Sequence, residues 1–133
     1  MTTYIFDGSL EGLLTTIFEF YERKPGPIKL VATAHYEPQL LGETLEIVTD
    51  EAKSKRVWDG LKRKLPPDWL LRFYKAYLSE DPETFGQLFA FACYIFDHEK
   101  GAEQNFGHKA VLAVTQMDRS VNREKHRMKA FIR

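Results

Sequence analysis

Leu10, Leu13, Leu14, Ile17, Phe18 and Tyr21 recur at i, i+3, i+4, i+7, i+8 and i+11. That spacing draws one apolar stripe along a helix of about 9–22. Such a stripe must be buried, and the residues just upstream suggest against what. Thr3-Tyr4-Ile5-Phe6 is rich in aromatic and β-branched residues and reads as a short strand. Asp7-Gly8 breaks it. Ser9 then suits a helix N-cap, because its hydroxyl can accept from unpaired first-turn amides. Lys24-Pro25-Gly26-Pro27 stops the helix. Ile28 to Ala34 reads as a second strand, His35 to Gly42 as loop, and Thr44 to Val48 as a third strand. A small sheet of these pieces needs a helix on one face.

The rest reads as helical. Thr49 or Asp50 can cap a helix running to Leu65, whose apolar side is Val57, Trp58, Leu61 and Leu65. Pro66-Pro67-Asp68 separates it from a helix over Trp69 to Leu78. Asp81-Pro82 opens another, with proline where its missing N–H does no harm. Phe85, Leu88, Phe89, Ala92, Ile95 and Phe96 give that helix a broad apolar face, as a central core element has. Cys93 lies in it and reads as a small buried hydrophobe. In a last helix, Ala110, Val114, Met117, Val121, Met128 and Ile132 fall within about 60° of one another. Arg119, Arg123, His126, Arg127 and Arg133 fall opposite. Lys129 to Arg133 could instead begin a strand. The fold class expected is α+β: one mainly helical domain over 1–133 with a small N-terminal β-sheet.

A chain of 133 residues that is 44% hydrophobic and 29% charged can bury one modest core, which excludes a wholly disordered chain. No apolar run approaches the ~20 residues of a membrane span. The N-terminus lacks the basic start of a signal peptide. A single cysteine excludes an intramolecular disulfide and multi-cysteine metal sites. The chain reads as cytoplasmic, with no membrane partner.

Nineteen basic and nineteen acidic residues cancel, but not locally. Residues 1–50 carry −5 (3 basic, 8 acidic), 51–75 carry +5 (8 and 3), 76–117 carry −4 (2 and 6) and 118–133 carry +4 (6 and 2). Either the blocks pair across the fold, or the two basic blocks serve one anionic surface. Arg119, Arg123 and Arg127 recur every four residues, about 6 Å apart on a helix. Guanidinium forks match phosphate oxygens bidentately, so this row suits nucleic acid. Lys53, Lys55, Arg56, Lys62, Arg63 and Lys64 add charge but spread more widely around their helix. His126, among cations, is a candidate general base or a hydrogen-bonding group on a solvated or partner-facing surface. Trp58 and Trp69 flank the first basic block as core residues or base-stacking candidates. His35, His98, His108 and His126 lack metal-ligand spacing, so no metal and no cofactor is expected. No P-loop, GxGxxG or GxSxG occurs.

Two segments carry a resemblance. They are Tyr4-Ile5-Phe6-Asp7-Gly8-Ser9-Leu10-Glu11-Gly12-Leu13-Leu14 and Val121-Asn122-Arg123-Glu124-Lys125-His126-Arg127-Met128-Lys129-Ala130-Phe131-Ile132-Arg133. Together they resemble a bacterial family of DNA metabolism or DNA repair proteins of unknown function. Its members are encoded beside a radical-SAM protein, and some carry a uracil-DNA-glycosylase-like domain. Family members continue past the second segment, so the resemblance implies an N-terminal part of a longer member, or a naturally short one. It also implies a DNA-linked role, with DNA and a radical-SAM protein as expected partners and no catalysis by this part alone. The residues expected to bind nucleic acid are Arg119, Arg123, His126, Arg127 and Arg133. Two alternatives stand beside this reading. One is a fragment of a nucleic-acid-processing enzyme with His126 as base. The other is a protein-interaction scaffold docking at Phe131-Ile132.

Overall fold

The computed structural model describes residues 1–38, 40–79 and 81–117. The fold is α+β, with a three-stranded parallel sheet near the N-terminus and helices after it. The chain divides into two compact units, Met1–Arg63 and Lys64–Arg133.

In the first unit β1 (Thr2–Phe6) is the central strand, between β2 (Ile28–Ala32) and β3 (Glu43–Glu46). Both pairings are parallel, with Thr3 opposite Lys29 on one side and Thr44 on the other. Parallel neighbours need a crossover connection. The first is α1 (Leu10–Arg23), as the apolar stripe predicts. The second is the stretch 33–42, whose described residues hold a 3-10 turn at Thr33–His35. Tyr4 and Phe6, alternate residues of β1, are buried, as are Leu13, Leu14 and Ile17 of α1.

The buried surface of α1 is wider than its stripe, because Thr15 and Thr16 are fully buried too. Their hydroxyls donate to the carbonyls four residues earlier, at 2.7 Å to Glu11 and 2.8 Å to Gly12, so neither is left unsatisfied. Ser9 caps the helix as expected, its Oγ accepting from the Gly12 amide at 2.9 Å. At the other end Lys24 turns left-handed (φ 49°), and its amide donates to the Phe20 carbonyl. β2 stops at Ala32, two residues earlier than the apolar run suggests. Thr33 there turns the chain and donates its hydroxyl to the Phe6 carbonyl at 3.0 Å. β3 likewise ends at Glu46; the Ile47 amide still reaches Ile5, but Val48 is 81% exposed.

Helix α2 (Glu51–Lys64) starts at Asp50, whose Oδ1 accepts from the Lys53 amide at 2.9 Å. Ser54, Val57 and Leu61 are its buried residues, and Trp58 is half-buried.

The second unit contains α3 (Pro67–Tyr77), α4 (Pro82–Asp97) and a helix over 109–117, α5. Pro67 and Pro82 each occupy a first-turn position, and Asp81 caps α4 by accepting from the Glu83 amide. Phe73, Leu88, Phe91, Ala92, Ile95, Val111 and Val114 form the core. Trp69 belongs with them. It is 5% exposed and stacks on Phe91 at 5.8 Å, which removes it as a base-stacking platform. Cys93 is half-buried rather than buried, because it falls between the inward Ala92 and Tyr94 positions of α4. No described helix is long and apolar enough to cross a membrane.

Candidate nucleic-acid interface

Arg119, Arg123, His126, Arg127 and Arg133 lie outside the described residues, as do Phe131 and Ile132. The first basic block is described in full, and it is more ordered than its sequence suggests. Of its six lysines and arginines on α2, two are taken up inside the protein. The Lys53 ammonium pairs with the Glu19 carboxylate, which Arg23 also holds at 2.8 Å. Lys64 donates to the carbonyl oxygens of Ile95, Phe96 and His98 at 3.1, 3.1 and 2.6 Å. A cation over the last carbonyls of a helix satisfies acceptors that have no intrahelical partner.

These two are the residues that make the block look scattered. The other four, Lys55, Arg56, Lys62 and Arg63, fall within about 120° of arc at 100° per residue, opposite the buried Ser54, Val57 and Leu61. All four are exposed, and none forms an ion pair with a described residue. The Arg56 guanidinium lies 5.9 Å from the Phe18 ring centre, a cation–π contact that leaves its charge available. Asp59 is the acidic residue within the arc. Lys55 and Lys62 are seven residues apart, about 10 Å along the axis. The arrangement presents a strip of positive charge to solvent, able to meet successive phosphates. It also answers the question posed by the alternating charge blocks. Of the six cations on α2, Lys53 is the one drawn into an ion pair with a described residue, so cross-fold neutralisation does not absorb the charge of this helix.

Glu19 is only 9% exposed. The bonds from Lys53 and then Arg23 outweigh its burial and hold its carboxyl below the ordinary carboxylate range. The same bond raises the Lys53 ammonium.

The first resembling segment has a structural explanation. Asp7 Oδ1 accepts from the Ser9 amide at 2.9 Å and the Ser9 hydroxyl at 2.5 Å, and Oδ2 accepts from the Thr49 hydroxyl at 2.7 Å. Gly8 supplies the positive φ (85°) that the turn requires. Partial burial alone would push the Asp7 carboxyl up, but the Ser9 and Thr49 bonds together hold it low. Asp7 and Glu19 therefore contribute stability that is complete above their ordinary values of 3.8 and 4.5 and is lost as pH falls through their lowered folded values. Thermal melts stepped from pH 7 to pH 3 should show this acid limb, and Asp7→Asn with Glu19→Gln should flatten it. An unchanged limb in the double variant would contradict the assignment.

The histidines gain structural roles. His98 and His108 both lie against Tyr94, with ring centres 4.4 and 3.8 Å away, and His108 Nδ1 accepts from the Ala110 amide at the start of α5. No group of three or more metal-ligating side chains occurs among the described residues.

Residues 82–133 match the family model of a domain of unknown function (DUF4130). The similarity takes in α4, α5 and the second basic block, and leaves the sheet and α2 outside it. No curated protein and no solved structure matches the chain.

Proposed function

We propose that this chain binds nucleic acid, with DNA the favoured form, through two basic surfaces: the outward cations of α2, and Arg119, Arg123, His126, Arg127 and Arg133. The observation that carries the reading is the exposed, unpaired arc of Lys55, Arg56, Lys62 and Arg63. Surface cations that are free of internal ion pairs release condensed counterions when they meet phosphate, which drives association. The resemblance of residues 4–14 and 121–133 to DNA metabolism and repair proteins supports DNA over other polyanions. The same resemblance supports a radical-SAM protein as partner and an accessory role without chemistry of its own. Net neutrality argues for a local contact, since bulk charge gives no attraction here.

The test is affinity for a short duplex measured against salt. The four α2 cations alone imply a log–log slope of roughly −3 to −4. Lys55→Ala, Lys62→Ala and Arg63→Ala together should reduce the slope by about 2 to 3 without lowering the melting temperature by more than a few degrees. Absence of binding at low salt, or a triple variant with the parent slope, overturns the proposal.

A further inference from the structure

A cavity of about 110 Å³ lies on the face of the sheet away from Tyr4 and Phe6. Its existence follows from the strand order. β2 and β3 flank β1 on opposite sides, so the two connections run in opposite directions across the sheet. Crossovers of one hand then lie on opposite faces. α1 takes one face. The stretch 33–42 crosses the other, without a long helix to fill the space.

The floor of the cavity is a cross-strand row, Thr44, Thr3 and Lys29, held on one face by the register of the three strands. Its rim comes from the connection: His35, Tyr36 and Glu37. A lysine, an imidazole, two glutamates (Glu37 and Glu43) and three hydroxyls thus surround one space. No side-chain hydrogen bond or ion pair joins Lys29, His35, Glu37, Thr3 or Thr44 to another described residue. Lys29, His35, Glu37, Glu43 and Thr44 are exposed, so water or a bound solute supplies their partners. One water requires about 10–15 Å³ by this measure, so the space holds a molecule of several heavy atoms but not a nucleotide.

We propose that this cavity binds a small zwitterion of amino-acid size, its carboxylate on Lys29 and its ammonium on Glu37, with the Thr3 and Thr44 hydroxyls beneath it. An anion alone would face Glu37 and Glu43, and a cation alone would face Lys29, so each half-charged ligand meets a like charge. The site belongs to the sheet and is independent of the α2 cations.

The experiment is a titration of the ¹⁵N-labelled chain with L-alanine, with acetate and ethylammonium as single-charge controls, to about 20 mM each, well above a millimolar Kd. The expected result is saturable shifts at residues 3, 29, 35–37 and 44 with L-alanine only. Lys29→Met and Glu37→Gln should each weaken binding at least about tenfold, as loss of a charge-assisted bond does. The Lys55, Lys62, Arg63 alanine variant should respond like the parent, which separates this site from nucleic-acid binding. No saturable shift, an equal response to acetate, or L-alanine binding that survives both substitutions overturns the proposal.

Discussion

Phe91→Ala should cost about 3–5 kcal/mol, the range for truncating a large buried aromatic. Phe91 is fully buried on α4, with Trp69 stacked at 5.8 Å and 18° and Phe73 at 6.3 Å. Both partners come from α3, so the three rings bind the two helices to each other. Removing the central ring leaves a void that neither neighbour can fill without giving up its own contacts. Such a loss is a large share of the 5–15 kcal/mol typical of a folded domain. Phe106 is the control. It also lies near Trp69, at 6.2 Å, but is 53% exposed, so Phe106→Ala should cost about 1 kcal/mol or less. Urea midpoints at unchanged m-value provide the comparison. Equal losses in the two variants would show that the ring cluster is not the centre of this core.

Gly12→Ala should destabilise, against the usual gain of about 1 kcal/mol from replacing a helical glycine. An added Cβ would fall well inside contact distance of Asp7 Oδ1 and 3.0 Å from Ser9 Oγ. A free carboxylate could swing aside cheaply. This one is held by Ser9 and Thr49, so moving it costs those bonds and disturbs the cap of α1. A net loss of about 1–3 kcal/mol is expected. The mechanism is checked by a double-mutant cycle. In an Asp7→Ala background the carboxylate is absent, and Gly12→Ala should become neutral or stabilising. Additive losses would place the cause elsewhere.

The helices and the central strand were legible because local chemistry marks them. Ser9, Asp81 and Pro82 sit where capping requires them, and the Leu10–Tyr21 stripe identifies the inward face of α1. The sheet's extent was not legible. No Gly or Pro marks the end of β2 or β3, and β2 is ended by a long-range partner, the Thr33 hydroxyl donating to the Phe6 carbonyl. The burial of Thr15 and Thr16 was missed because their hydroxyls are satisfied by carbonyls of their own helix, which residue type does not reveal. The basic face of α2 was hidden for a related reason. Six cations give no pattern until Lys53 and Lys64 are assigned to Glu19 and to the end of α4. Internal bonding subtracts two charges, and the remaining four share a side.

The position of β1 also governs when the first unit can assemble. The strand made first is flanked by strands made later, ending at Ala32 and Glu46. At 5–20 residues per second, roughly 2–8 s of synthesis separate Phe6 from the last residue of its second neighbour. Through that interval Tyr4 and Phe6 lack their final surroundings on the nascent chain. A docked α1 can shield one side early, but both ladders close only when translation has passed the middle forties.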